Sequence, residues 1–246
     1  MTDRDLEEHA AGFPSMGGAL NGRLLRGLAA RAPADTAIVE VGTWLGAGTA
    51  QLALGLAGRA DPPAIHCFDM FEASAHEVEH AARFGIALVP GQDTSGHVQD
   101  ALAPFGVPVV MHKGDFTRAA WEGGPIAVFV ADGSNWAGPF HRVLTTFGPH
   151  WLPGTTEIAL MDYEYWRNLP PRQARPLMAQ KIFMERHAAH FEPVDADYPE
   201  GSTTRLFRYR RALDFDRLAP VDTRGALSRA LPEWIKAPAR RLLGRG

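Results

Sequence analysis

The stretch Ala37-Ile38-Val39-Glu40-Val41-Gly42-Thr43-Trp44-Leu45-Gly46-Ala47-Gly48-Thr49 changes its pattern midway. It opens as a short β-branched run, bends at glycine and passes into an Ala/Leu-rich segment, Ala47 to Leu56, that reads as a helix. A strand, a tight turn and a helix follow one another. That is the unit from which parallel sheets are built.

The unit repeats along the chain. Ala64 to Phe68, Pro108 to His112, Ile126 to Ala131 and Glu157 to Met161 read as further strands, with helical segments between them. Strands apolar on both faces and alternating with helices imply a parallel sheet covered on each side, with right-handed crossovers. Near the end, Phe191 to Val194 and Thr203 to Tyr209 flank Pro199-Glu200-Gly201-Ser202, a turn sequence that closes an antiparallel pair. The fold class expected is therefore α/β: a doubly wound, mostly parallel seven-stranded sheet with a terminal antiparallel hairpin.

Ahead of the first strand, Leu6 to Arg31 reads as helix broken near Gly12 to Gly18, with Leu20, Leu24, Leu25 and Leu28 on one apolar face. The expected organisation is an N-terminal helical cover (1–33), an α/β domain (34–212) and a basic appendage (213–246). Between Phe71 and Gly96 lies a long connection carrying Glu72, His76, Glu77, Glu79 and His80. It reads either as a substrate-facing lid or as a solvated surface helix.

At 246 residues, 46% apolar and 22% charged, the chain suits one large folded domain. The single Cys67 forms no internal disulfide, and neither a secretory signal nor an apolar run near the ~18 residues of a membrane span is present. A soluble protein of the reducing cytoplasm is expected. The net charge of -3 argues against general nucleic-acid binding, which needs a surplus of Lys and Arg. Charge is uneven, however: Arg224 to Gly246 holds five Arg, one Lys and one Glu, a local +5 that leaves the rest at -8. With Leu227, Leu231, Trp234 and Ile235 interleaved, this tail reads as a docked or frayed appendage, with peripheral contact to an anionic membrane as the rival. A homo-oligomer is compatible with the sequence.

In the turn after the first strand, glycine falls at the first, fifth and seventh places (Gly42, Gly46, Gly48), whereas a dinucleotide loop has it at the first, third and sixth. Gly42 permits the tight turn, Gly46 and Gly48 let the backbone approach a ligand, and Thr49 enters the helix whose N-terminal amides face the crevice. Glu40, two places before the first glycine, fits a cationic amino acid moiety better than a pyrophosphate. Asp69, ending the second strand, can accept hydrogen bonds from two ribose hydroxyls or stand as an unpaired surface acid. None of Tyr163, Tyr165, Tyr198 or Tyr209 is followed four places later by lysine, so the short-chain dehydrogenase pair is absent.

On these residues the chain resembles the class I S-adenosylmethionine-dependent methyltransferases, in the branch whose first motif reads Glu-x-Gly-Thr-x-x-Gly-x-x-Thr. The resemblance runs from Ala37 to Tyr163, about half the chain. It implies S-adenosylmethionine as cofactor, held by Glu40, Gly42, Thr43, Gly46, Thr49 and Asp69. It also implies that Asp115, in Lys113-Gly114-Asp115-Phe116, faces the adenine amino group with Phe116 over the ring. Asp115 reads equally as a helix N-cap.

The fourth strand runs into Asp132-Gly133-Ser134-Asn135-Trp136 and the fifth into Met161-Asp162-Tyr163-Glu164-Tyr165-Trp166, both at the carboxyl edge where open α/β sheets bind ligands. The first of these resembles the Asp-Gly-x-His-x-Tyr motif of antibiotic and sugar O-methyltransferases. In that branch, strand-end acids hold a divalent metal and the histidine takes a proton from the acceptor hydroxyl. The resemblance makes Asp132 and Asp162 the catalytic and metal-ligand candidates, serving a hard cation such as Mg2+, with Asp132 also at the cofactor. The chain departs from the motif at Asn135, where histidine is expected and an amide cannot act as a base, and at Met161, where some relatives carry a third acid. His141, about 240° around its helix at ~100° per residue, faces elsewhere. Tyr163, Tyr165 and Trp166 read either as the wall of an acceptor pocket or as packing beneath Pro170-Pro171.

The sequence thus points to methyl transfer, by O-methylation, to a small-molecule or sugar-containing acceptor. The competing expectation is a degenerate member that keeps the fold as a binding or assembly module, motivated by Asn135.

Overall fold

The computed structural model describes residues 1–16 and 21–224. The basic tail and its membrane reading fall outside the described residues from 225 onward, as does Leu20 in the expected apolar face.

Two helices lead in: α1 (Asp3–Ala11), whose Thr2 and Asp5 form a reciprocal capping box, and α2 (Gly22–Arg31). Strand β1 (Ala37–Val41) then passes through the glycine turn into α3 (Ala47–Leu56). β2 (Ala64–Asp69) is followed by α4 (Ala75–Ala82) and α5 (Ser95–Leu102), and β3 (Val109–Lys113) by β4 (Ile126–Ala131). α6 (Ala137–Phe147) leads to β5 (Glu157–Leu160), and α7 (Pro171–Ala174) and α8 (Ala179–Arg186) lead to β6 (Phe191–Pro193) and β7 (Arg205–Tyr209). All seven expected strands form.

They make one sheet in the order β3-β2-β1-β4-β5-β7-β6. β1 to β5 are mutually parallel where they pair, and β7 runs antiparallel to both β5 and β6. The hairpin anticipated at the end of the chain is present: its second strand, β7, pairs with β5, and its first, β6, forms the edge of the sheet. The central strands β1 and β4 are buried along their whole length, whereas β3, at the edge, is partly exposed.

Side chains of β4 alternate between two cores. Phe129 and Ala131 face a layer of Phe68, Phe147, Trp151 and Phe183, while Val128 and Val130 face Leu28, Leu52 and Leu56 from α2 and α3. A fully buried side chain of this size contributes about 1.5–3 kcal/mol, so both faces hold the sheet firmly. The helical cover is part of this packing, since Leu6, Ala10, Leu25 and Leu28 are buried. Past residue 213 the chain is still packed: Phe215 is buried edge-on to Trp151 at 5.3 Å, and Val221 is buried too. Among the described residues, no helix is long and apolar enough to cross a membrane.

Candidate functional site

Chain connectivity turns one way from β1 into β2 and β3 and the other way from β4 into β5, so a crevice opens at the carboxyl ends of β1 and β4. The strand ends are knit by backbone bonds: Gly42 N–H to the Phe68 carbonyl, Asp132 N–H to Val41 and Gly114 N–H to Asp69, each 2.8 Å. Gly42 has φ 91°, and a side chain there would also run into the Asp132 carbonyl oxygen.

Glu40 is 2% exposed. Its Oε2 accepts from Thr43 Oγ1 at 3.3 Å and from Thr49 Oγ1, which enters from the first turn of α3. Burial pushes its carboxyl up to about 8, the Thr49 bond pulls back down, and the nearby Asp132 charge raises it further. Gly48 lies against this carboxylate, and a Cβ there would collide with Glu40 Oε1. At Gly46 (φ 88°) a Cβ would face Val98 at 3.0 Å. A side chain at either glycine would therefore meet Glu40 or α5.

Asp69, at the tip of β2, is fixed by backbone amides. Oδ2 accepts from Trp44 N–H and Oδ1 from Phe71 N–H, both at 2.9 Å. Both donors are non-glycine residues with positive φ, 48° and 46°, a conformation that bulky side chains rarely adopt. This clamp went unseen in the sequence, because nothing in the residue types marks either position as left-handed.

Across the crevice, burial and the facing Asp162 and Asp69 charges push Asp132 up to about 7. Burial also raises Asp162, whose Oδ2 accepts from Asn135 Nδ2 at 3.1 Å. Asn135, in place of the expected histidine, therefore orients an acid. Beside it the Ser134 hydroxyl is buried with no hydrogen-bond partner among the described residues. The aromatic wall divides: Trp166 is fully buried, Tyr163 packs on Phe207 at 5.2 Å, and Tyr165 and Trp136 are exposed at the rim.

Asp115 is an N-cap, its Oδ1 accepting from the backbone and hydroxyl of Thr117 at 2.9 and 2.7 Å, which holds its carboxyl below the usual range. Phe116 is partly buried against the core. In the 71–96 segment, Ser74 and Glu77 cap α4, and His80 packs edge-on to Trp44 with ring centroids 5.7 Å apart. This segment thus touches the glycine turn directly. His66 and His112 bond to each other across β2 and β3 at 3.0 Å. Cys67 is wholly buried and its thiol is pushed far up by burial.

Glu40, Asp69, Asp132 and Asp162 are ion-paired to no basic side chain among the described residues. The Asp132 charge raises Glu40, and the Asp162 and Asp69 charges raise Asp132, so the acids add to a field of negative sign at these strand ends. Asp132 and Asp162 suit a hard cation in charge, but no group of three or more His, Cys, Asp or Glu gathers around a metal position among the described residues. Water would have to complete such a site.

No protein-family model matches the chain, and no curated protein does. Among solved structures the chain is similar to the CcbJ methyltransferase from Streptomyces caelestis, with 13% identity over 81% of this chain and 94% of that one and a TM-score of 0.47. It is similar to OxaC in complex with SAH and oxaline at 13% identity over 82% of this chain and a TM-score of 0.46, spanning 47% of that longer chain. It is also similar to the MycE methyltransferase of the mycinamycin pathway in complex with Mg and SAH, at 14% identity, 75% of this chain, 47% of that one and a TM-score of 0.41. Function has to be argued from the site.

Proposed function

We propose that this chain is an S-adenosylmethionine-dependent methyltransferase that O-methylates a small-molecule or sugar-containing acceptor. The observation that carries the reading is the convergence of Glu40, Asp69, Asp132 and Asp162 on one crevice with no basic partner among the described residues. A ligand bearing a sulfonium and an ammonium group meets that field favourably, whereas a dinucleotide would bring its phosphates against it.

In this reading Glu40, oriented by Thr43 and Thr49, holds the amino acid end, with Gly42 and Gly46 shaping the turn. Asp69, already anchored by two amides, presents its remaining lone pairs to the ribose hydroxyls, and Asp115 and Phe116 flank the adenine. The bound sulfonium supplies an activated methyl group for in-line displacement, so the protein's task is mainly alignment, worth roughly 7–11 kcal/mol in favourable cases. Asp132, whose affinity for protons lies near neutrality, receives the acceptor hydroxyl proton. Asp162, steered by Asn135, orients that hydroxyl. If Mg2+ binds, Asp132 and Asp162 are the residues that would hold it, and its charge would stabilise the developing alkoxide.

The Asn135 to Asp162 bond also favours a second reading, a cofactor-binding module without turnover. Calorimetric titration with S-adenosylmethionine and S-adenosylhomocysteine, followed by mass spectrometry of a panel of hydroxylated acceptors, tests both. A methylated product rejects the inert module; absence of binding by either nucleoside rejects the proposal altogether.

A further inference from the structure

Among the described residues, the exposed aromatic side chains are Phe84, Trp136 and Tyr165; the other Phe, Tyr and Trp rings are buried or half-buried. A single exposed apolar side chain is ordinary on a protein surface. Two of these three, however, bracket one pair of polar side chains. Trp136 directly follows Asn135, and Tyr165 N–H donates to the carbonyl of Asp162 at 3.1 Å. Asn135 and Asp162 are themselves joined, side chain to side chain, at 3.1 Å. Their parent strands, β4 and β5, are neighbours in the sheet.

Both rings stand on fixed backbone. Trp136 is the N-cap of α6, and its carbonyl accepts from Phe140 N–H at 2.9 Å. Tyr165 opens a short 3₁₀ turn, Tyr165–Asn168, whose second residue, Trp166, is fully buried. Each ring has two side-chain torsions left to settle, so little conformational entropy is lost when a ligand comes to rest against it. Trp136 is 54% exposed and Tyr165 41%, which leaves apolar surface on both for a ligand to cover beside the acids.

We propose that Trp136 and Tyr165 hold the ring of the methyl acceptor, and that this acceptor is a neutral phenol. The word acceptor rests on the methyltransferase reading; the capture of a flat apolar body does not. Aromatic faces favour such a body through burial and offset stacking. The acids at these strand ends oppose a carboxylate or phosphate on it. A sugar needs a hydrogen-bonding partner for each hydroxyl it buries, which two ring faces do not offer. Asn135 brings no base, and a phenolic proton, with a pKa of ~10, leaves far more readily than one held near the ~16 of water. In the transfer, an electron pair of the phenol oxygen forms the bond to the sulfonium methyl carbon, and the carbon–sulfur bond breaks with its pair going to sulfur. The hydroxyl proton passes to Asp132 and on to water. An aryl methyl ether and S-adenosylhomocysteine result.

The test is calorimetric titration of the full chain with naphthol and with methyl glucoside, and separately with S-adenosylhomocysteine. The wild type is compared with Trp136→Ala, Trp136→Phe, Tyr165→Ala and the control Val110→Ala, an exposed residue of edge strand β3. Naphthol is expected to bind saturably, about tenfold more weakly in Trp136→Ala and in Tyr165→Ala, with most of the affinity kept in Trp136→Phe and all of it in Val110→Ala. Nucleoside affinity should be alike in all of them. Mass spectrometry after incubation with S-adenosylmethionine then reads the hydroxyl: methylation of naphthol in preference to naphthylmethanol, which carries the same rings on an aliphatic alcohol, assigns a phenol. Preference for naphthylmethanol or methyl glucoside, no saturable binding of naphthol, or wild-type binding by both alanine variants overturns the assignment. Naphthol binding without nucleoside binding removes the methyltransferase reading and leaves the pair of rings as a binding site; the converse removes the rings alone.

Discussion

Trp44 and Asp69 are joined through the backbone: the amide of one, in a left-handed conformation, donates to the carboxylate of the other at 2.9 Å. The second oxygen of Asp69 takes the amide of Phe71, likewise left-handed. Such conformations cost about 1–3 kcal/mol each and persist only where the surroundings enforce them. Replacing the acid should therefore register in stability as well as in ligand affinity. Asp69→Ala is expected to lower unfolding free energy by about 2 kcal/mol and Asp69→Asn by less, both with weaker S-adenosylhomocysteine binding. Urea denaturation with parallel calorimetry checks this; an Asp69→Ala chain unchanged in both measurements removes the clamp from the site.

Gly48→Ala separates the glycine's spatial role from its conformational one. Helix propensity favours alanine by about 1 kcal/mol, and the position is helical, so the fold should survive. The new methyl group, however, displaces the Glu40 carboxylate. At least a tenfold loss of nucleoside affinity with near-native thermal denaturation is expected, from loss of a charge-assisted contact. Wild-type affinity would show that Glu40 does not hold the ligand.

Glu40 also sets a pH dependence. Its folded-state pKa, about 8, lies above the ordinary 4.5, so its contribution to stability is complete below 4.5 and is lost as pH rises through 8. A cationic ligand reverses that preference by favouring the ionised form. Nucleoside binding near pH 7 should release protons, and affinity should climb with pH up to about 8. Calorimetry in buffers of different ionisation enthalpy measures the release, and Glu40→Gln should diminish it. A proton count of zero in the wild type contradicts the assignment.

The histidine pair acts in the opposite sense on the acid side. Burial and the neighbouring His112 lower His66 to about 4, so the stability it contributes is present above 6.5 and lost as pH falls toward 4. Replacing both rings, His66→Phe with His112→Phe, keeps the stack on Phe68 and Trp121 in kind. The double variant should gain stability relative to wild type on going from pH 6.5 to 4, as read by chemical denaturation at each pH. A constant difference would assign the acid sensitivity elsewhere.

Asn135→His restores the residue that the resembling motif carries. If the acceptor hydroxyl lies at Asp132 and Asp162, an imidazole there should speed transfer by the 10²–10⁴-fold typical of a positioned base, with the optimum moving toward its pKa. The rate should be read with added Mg2+ and with chelator. Turnover that is indifferent to the substitution places the reacting hydroxyl elsewhere.

Much of this architecture was legible because burial on both faces of a parallel sheet forces apolar runs, which marked the five parallel strands, whereas β6 and β7 were read from the turn sequence between them. The sheet order was not, since Thr203 to Tyr209 reads the same whether it pairs at an edge or slips between β5 and β6. At the site, the acids were visible from their place at strand ends. Their surroundings were not: Gly48 makes room for Glu40, and Asn135 steers Asp162. These are contacts between segments distant in sequence. Arg205 escaped notice for the same reason, because only the fold brings it to Glu164.

The shielding of Cys67 has a practical consequence. Its side chain is wholly buried between the strands and helices of the core, so the folded chain presents no native thiol to a maleimide among the described residues. A cysteine substituted at exposed Tyr165 or Trp136 would be the sole labelling point there, and a fluorophore attached to it would report from the crevice rim with the core residue left untouched.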